Sequence, residues 1–435
     1  MRQALPELVR SFRSLRNPEP LFRLLPHGHH PLEEDPVSRT RRHPLPRKAR
    51  TAALAGTAVL AVALSACSGS GGDGKGALAA DRSAKISVNL TGDSAKPGEP
   101  VKVTATEGTL KDVAVQDAEG AALTGKISGD GKTWTSQRVA APGATYTVTA
   151  KDDKGRTGKQ QFSTQAADQV NKLDFNFKAG STVGTAMPIS IRFDHPVKNK
   201  AAVEKQLKVT TDNNTVGSWG WYQDQAGHQR VDWRPETYWK PGTKVKLDAD
   251  LDGIDSGGGG WFVRDYDNTF TIGKDQQVKV DLGGKQLQLV RDGQVVKSIP
   301  VAAGTPGGEK ASWDGKMVLM RKEGTIRMTS ESVGLGDAYD KMVRDSMRLT
   351  DSGMYIHAAP WNEGNYGRVN NSSGCVGMSD ADADWLYAQV QPGDLVEVTG
   401  QGSKGQAELG NGYAQWNMSW ADWQKLSALN GQSGK

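Results

Sequence analysis

Short runs of alternating apolar and polar residues, punctuated by Pro-Gly and Asp-Gly pairs, restrict this chain of 435 residues to a β-rich fold. A period of two puts every second side chain on one face, so each strand can bury that face only against a second layer. Ile86-Val88-Leu90, Val101-Val103, Val113-Val115 and Tyr146-Val148 form a first set at sandwich-like spacing. Leu173-Phe175-Phe177, Ile189-Ile191-Phe193 and Phe270-Ile272 form a second. Pro97-Gly98, Pro142-Gly143 and Pro241-Gly242 each stand just before such a strand. Proline presets one turn position and glycine supplies the positive φ of the next. Both sets read as antiparallel sandwiches.

From Gln277 the pattern changes to hairpins. Val278-Val280-Leu282 meets Leu287-Leu289 across Gly283-Gly284, and Asp292-Gly293 leads into Val295-Val296 and Ile299. After Met317-Val318-Leu319 comes a polar, Met-rich stretch, Arg327 to Arg348, which fits a mobile flap over a cleft. Ser379 with Asp382 three residues on starts a helix whose apolar face is Trp385, Leu386 and Val390, ending before Pro392-Gly393. Leu395 to Val398 returns as a strand. Ser419 starts a last short helix with Trp420, Trp423 and Leu426, expected to fold back on the β core of its own domain.

The net charge of +5 belongs to one end of the chain. Residues 1–66 carry eleven Lys/Arg against five Asp/Glu, leaving 43 against 44 for the remainder. A basic surface for nucleic acid therefore has no compositional support. Arg41, Arg42, Arg47, Lys48 and Arg50 precede an apolar run from Ala52 to Leu64, followed by Ser65-Ala66-Cys67. At 13 residues the run is short for a bilayer span and fits a signal-peptide core. Leu64-Ser65-Ala66-Cys67 resembles the bacterial lipobox, which implies cleavage before Cys67, a diacylglycerol on its sulfur and a membrane anchor outside the cytoplasm. Residues 68–82 read as a Gly/Ser-rich linker.

The chain has two cysteines, so with Cys67 lipidated no intramolecular disulfide can form and the fold rests on packing. Cys375 is then the only thiol of the folded part, and His357, eighteen positions earlier, is the only histidine after His228. A thiolate is a nucleophile and an imidazole can take its proton. A buried structural cysteine is the commoner fate of a lone Cys. Gly374 counts against that here, because glycine lets backbone N–H groups approach an oxyanion.

The stretch Ile356 to Ser379 (IHAAPWNEGNYGRVNNSSGCVGMS) resembles the catalytic signature of L,D-transpeptidases, the YkuD-type domains. His357-Ala-Ala-Pro-Trp361 and Gly374-Cys375 match closely; Ser373 stands where the family usually has His, and Gly377 where it usually has Asn. The resemblance covers roughly residues 275–435 and implies a peptidoglycan cross-linking enzyme. Cys375 would be the nucleophile and His357 the general base and acid. Gly374 would give an oxyanion-hole N–H, and the Ala358 carbonyl would orient the imidazole. Met328, Tyr355, Trp361, Ser372, Ser373 and Gly377 would contact donor and acceptor stem peptides. No metal or organic cofactor is implied. Immunoglobulin-like modules precede the catalytic domain in actinobacterial members.

The fold expected is therefore mainly β, with two immunoglobulin-like sandwiches and then a β-rich catalytic domain with a few short helices. The divisions are a cytoplasmic tail and signal peptide (1–66), the lipidated Cys and linker (67–84), modules at 85–167 and 168–273, the catalytic domain (274–400) and a C-terminal extension packed on it (401–435). A carboxypeptidase using the same dyad with water, a weakened cell-wall-binding lipoprotein, and a sortase-like or papain-like peptidase remain as alternatives. Trp219, Trp221, Trp233, Trp239 and Trp261 could stack glycans, but core packing with an interdomain contact is favoured. His195 and His228 have no partner at zinc-ligand spacing.

Overall fold

The computed structural model describes residues 83–90 and 94–430, so Cys67 and its leader lie outside the described residues. The first module is a sandwich of two four-stranded sheets. One runs Ile86–Val88, Pro100–Ala105, Thr133–Val139, Gly125–Ile127; the other runs Ser94–Ala95, Thr157–Thr164, Thr145–Asp152, Leu110–Asp117. Val101, Val103, Val115, Trp134, Tyr146, Val148 and Phe162 close the space between them. The second module repeats the arrangement. Leu173–Phe175, Ile189–Phe193, Gln229–Pro235 and Gly217–Gln223 face Ser181–Val183, Tyr266–Ile272, Lys244–Ala249 and Leu207–Thr211.

The turn chemistry is as the dipeptides require. Gly98, Gly143 and Gly242 have φ of +75°, +70° and +79°, and Gly393, in a fourth Pro-Gly pair, has +94°. Asp292 and Gly293 both have positive φ, the two-residue hairpin turn whose twist matches the flanking strands.

The third body holds two sheets. A five-stranded sheet runs Gln294–Pro300, Gln286–Arg291, Gln276–Asp281, Leu395–Thr399, Gly315–Val318. A four-stranded sheet runs Arg321–Thr329, Asp340–Arg348, Tyr355–Ala358, Val376–Met378. Between them lie Val278, Val280, Leu287, Leu289, Ile299, Met317, Met347, Ile356, Val376 and Met378, with Leu386 and Val390 of the helix Asp380–Gln389. Ser379 caps that helix: its Oγ accepts from Asp382 N at 3.2 Å and donates to Asp382 Oδ2 at 2.8 Å. The expected flap is more regular than its polar composition indicated. It is a hairpin of two nine-residue strands with a single 3-10 turn, Glu331–Val333, at its tip.

One expectation is corrected. Residues 401–409 follow the catalytic domain, but from Gly410 to Ala428 the tail also packs on the second sandwich: Gly410 O accepts from Gln225 N, Gly412 O accepts from Arg230 Nη1, and Tyr413 joins that sandwich's core. Trp416 belongs to that sandwich's core and donates from Nε1 to Ala186 O at 2.8 Å. Trp423, fully buried, donates to Ser218 O and stands on Gly220, where a Cβ would come within 2.8 Å of its ring. The cause is a sandwich face whose charges need cover. Arg234, itself buried, lies under the rings of Trp416, Trp420 and Trp423 at 4.8, 5.3 and 5.3 Å. Burial lowers its pKa to about 10. Glu204 accepts from Trp221 Nε1, Ala428 N and Ser427 Oγ. Burial works against the charge on Arg230, but Asp232 at 2.6 Å outweighs it and raises the guanidinium's pKa. Gly184 N and Ala186 N donate to Pro392 O and Gly393 O, joining the sandwich to the turn after the helix; at Gly184 a Cβ would lie 2.2 Å from that turn.

Of the tryptophans singled out, Trp219, Trp221, Trp233 and Trp239 are buried in the second sandwich. Trp261 lies against the first module, filling the space above Gly98.

Candidate active site

His357 and Cys375 arrive on neighbouring parallel strands. Tyr355–Ala358 pairs with Val376–Met378 in the register His357↔Gly377, so Cys375 enters the sheet one residue ahead of its strand. Parallel neighbours lie about 4.8 Å apart, which brings the thiol and the imidazole to one side of a cleft of about 380 Å³ that both line. His357 is buried, and its Nδ1 lies 2.7 Å from Ala358 O. A carbonyl only accepts, so Nδ1 carries the proton and Nε2 keeps its lone pair. Burial lowers the His357 pKa, opposed by the Ala358 hydrogen bond.

Cys375 is half-buried, with its Sγ 3.6 Å from Gly353 O. Burial pushes its pKa up to about 11, against the pull of the Tyr355 backbone N–H. Both groups therefore rest in their neutral forms. Gly374, with φ of +115°, makes the turn before the cysteine. Ser372 Oγ accepts from Gly374 N at 3.2 Å and donates to Cys375 O at 2.6 Å. Buried Ser312 holds the turn from behind, donating to Gly374 O at 2.7 Å and accepting from Gly304 N.

Met328, Trp361, Ser372, Ser373 and Gly377 also line the cleft. Tyr355 does not line it. Its hydroxyl is engaged by Arg348 Nη1 at 2.7 Å and Glu323 Oε2 at 3.0 Å, and its backbone N–H faces the sulfur. Gly377 is tightly placed: a Cβ there would meet Ala359 Cβ at 2.8 Å and the imidazole at 3.9 Å. The cleft also has walls the sequence did not single out. Tyr339, Lys341 and Val343 face it from the flap. They are spaced by two, a strand signal hidden while the stretch reads as irregular. Burial, helped by nearby Cys375, raises the Tyr339 pKa. Opposite them Asn362 and Asn371 exchange two 2.9 Å amide hydrogen bonds, and Asn365 donates to Asn362. Trp361 lies 29° from parallel to the His357 ring, centroids 5.9 Å apart. Among the described residues no three His, Cys, Asp or Glu side chains gather into a metal-binding group.

Residues 275–398 match the family model of the L,D-transpeptidase catalytic domain, and residues 92–255 that of a bacterial Ig domain. L,D-transpeptidase 5 of Mycobacterium tuberculosis is 32% identical over 339 residues, covering 77% of this chain and 74% of its own length. L,D-transpeptidase 2 of the same species is 31% identical over 337 residues, covering 76% and 81%. A solved LD transpeptidase in complex with imipenem aligns at 29% identity and a TM-score of 0.44, covering 52% of this chain and 97% of that one.

Proposed function

The chain belongs to the L,D-transpeptidases, with a YkuD-type catalytic domain behind Ig-like modules, and from that premise we propose that Cys375 and His357 perform its acyl transfer. The enzyme is an acyltransferase that cross-links peptidoglycan through a cysteine thioester. His357 Nε2 takes the thiol proton as Sγ attacks the carbonyl joining the third stem residue to terminal D-Ala. Because burial disfavours both separate ions, transfer and attack are coupled, with no standing thiolate. The oxyanion is received by the Gly374 and Cys375 N–H groups, Ser372 Oγ yielding the place it now holds at Gly374. Such donors contribute ~3–4 kcal/mol each. The imidazolium protonates the leaving nitrogen, D-Ala departs, and the acyl group remains on sulfur. An acceptor amine then gives its proton to His357 as it attacks, and the thiol is restored as the C–S bond breaks.

The observation carrying this reading is that the one free thiol among the described residues and the catalytic domain's one histidine line a single cleft, with the imidazole tautomer held by Ala358. Intact mass after mixing with a carbapenem tests it. The wild type should gain one adduct and Cys375→Ala none; an adduct on Cys375→Ala overturns it.

The protein works outside the cytoplasm, on the wall. We infer that it is held to the membrane by a lipid on Cys67. Labelling with a palmitate analogue should mark the wild type and leave Cys67→Ser unmarked; a label persisting on the variant removes the anchor.

A further inference from the structure

The cleft carries a single formal charge that the dyad does not use. Among the side chains lining it there is no Asp or Glu and only one Lys or Arg, Lys341. Lys341 is half-buried. Among the described residues its ammonium has no hydrogen-bond or ion-pair partner, and its recorded contact is the Trp361 face, 4.5 Å from the ring centroid. Elsewhere on this domain cations at comparable burial are paired: Lys297 reaches Asp382 at 2.8 Å, and Arg348 reaches Tyr355 and two carbonyls. An ammonium held over an indole keeps its charge while leaving its donors free. The same indole stacks on His357.

We propose that Lys341 is the receptor for the carboxylate of the leaving D-Ala, and so a specificity-determining residue of the donor stem. The assignment rests on the dyad reading above. In that reading His357 protonates the leaving nitrogen, so this atom lies beside the imidazole. The D-Ala carboxylate carbon is two bonds further on. The Trp361 ring centroid lies 5.9 Å from that of the imidazole and 4.5 Å from the ammonium, so a carboxylate directed along that ring approaches the cation. Tyr339, Lys341 and Val343 share a strand face, so the flap presents the charge inward. The cleft thus recognises a stem ending in a free carboxylate. It disfavours one whose end is blocked, because an unpaired ammonium is then left in a half-closed site.

The test compares kcat/KM for D-Ala release from a tetrapeptide donor with that for release of D-alaninamide from its C-terminal carboxamide. The wild type should favour the acid by roughly tenfold to hundredfold, the worth of one charged hydrogen-bonded contact. In Lys341→Met, which keeps an unbranched chain on Trp361, the ratio should collapse towards unity; Lys341→Arg should restore it. A third donor, with internal carboxylates amidated and the C-terminus free, should behave as the acid. A ratio unchanged in Lys341→Met, or sensitivity that follows the internal carboxylates, overturns the assignment. Mass labelling with saturating carbapenem separates the two readings. A wild type taking no adduct removes the dyad, whereas normal labelling with an unchanged ratio removes Lys341 alone.

Discussion

Burial holds the Cys375 thiol and the His357 imidazole in their neutral forms, and this sets how the rate should respond to pH. With the His357 pKa below its ordinary 6.5, the base stays available as pH falls through the range where a free histidine would protonate. Acylation kcat/KM should therefore be flat from pH 8 to below 6.5 and decline only beneath that. Stopped-flow acylation showing a rising limb near 8.5 would instead mean a thiolate formed in advance. Removing the base should expose the thiol's own pKa: His357→Ala should acylate roughly 10²–10⁴-fold more slowly, and its alkylation by iodoacetamide should climb towards pH 11. Gly377 gives a second residue-scale test. Gly377→Asn, which supplies the usual family residue, forces a Cβ onto Ala359. It should slow acylation by tenfold or more, about 1.4 kcal/mol, and Ala359→Gly should recover most of that loss in the double variant. Additive effects would mean that the two positions do not touch. The candidate pair was legible because the stretch from Ile356 to Ser379 offers one thiol and one imidazole. Tyr339 and Lys341 were not, because the side they face depends on a hairpin register that composition does not reveal.

Elements announced themselves where their chemistry is local. The Pro-Gly and Asp-Gly turns need positive φ, and Ser379 needs only its own helix, so each could be read from a few residues. The helix at Trp420–Gln424 shows the opposite case: its tryptophans declare that something must be covered, but not which surface. Asp394, on the turn bonded to Gly184, is a buried acid that no local pattern marks. Burial raises its pKa to about 6, against the pull of Gln391 N and Gln276 Nε2. The native carboxyl thus binds its proton more tightly than the unfolded one, near 3.8. Stability contributed by the protonated form is full below pH 3.8 and lost as pH rises through 6. Measured against Asp394→Asn, the wild type should lose on the order of 2 kcal/mol between pH 4 and pH 7 in urea titrations. A constant difference across that range would show the acid to be ordinary. Trp423→Ala should cost about 3–5 kcal/mol; a loss under 1 kcal/mol would show the last helix to be incidental.

The order of modules could be read from strand spacing, but which of them act as one body could not, since that depends on surfaces meeting across long stretches of chain. The first sandwich meets the second through Trp261 on Gly98 and the Arg138–Asp265 pair, whose side chains are 39% and 43% exposed. Such a pair contributes about 0–1 kcal/mol. The second sandwich and the catalytic domain share buried charges and a core. Calorimetry should therefore resolve two transitions, a smaller one for residues 83–167 and a larger one for the rest, with Trp423→Ala lowering only the larger. One transition, or three, would contradict this partition. The crossing of the tail onto the second sandwich also bears on timing. The chain emerges N-terminus first, so the tail follows that sandwich by about 140 residues. Throughout that interval Glu204 and Arg234 wait without their covering partners. Completion of the final helix thus serves as a clasp, and a prematurely stopped chain would display this uncovered face to the proteases that patrol for unfinished products.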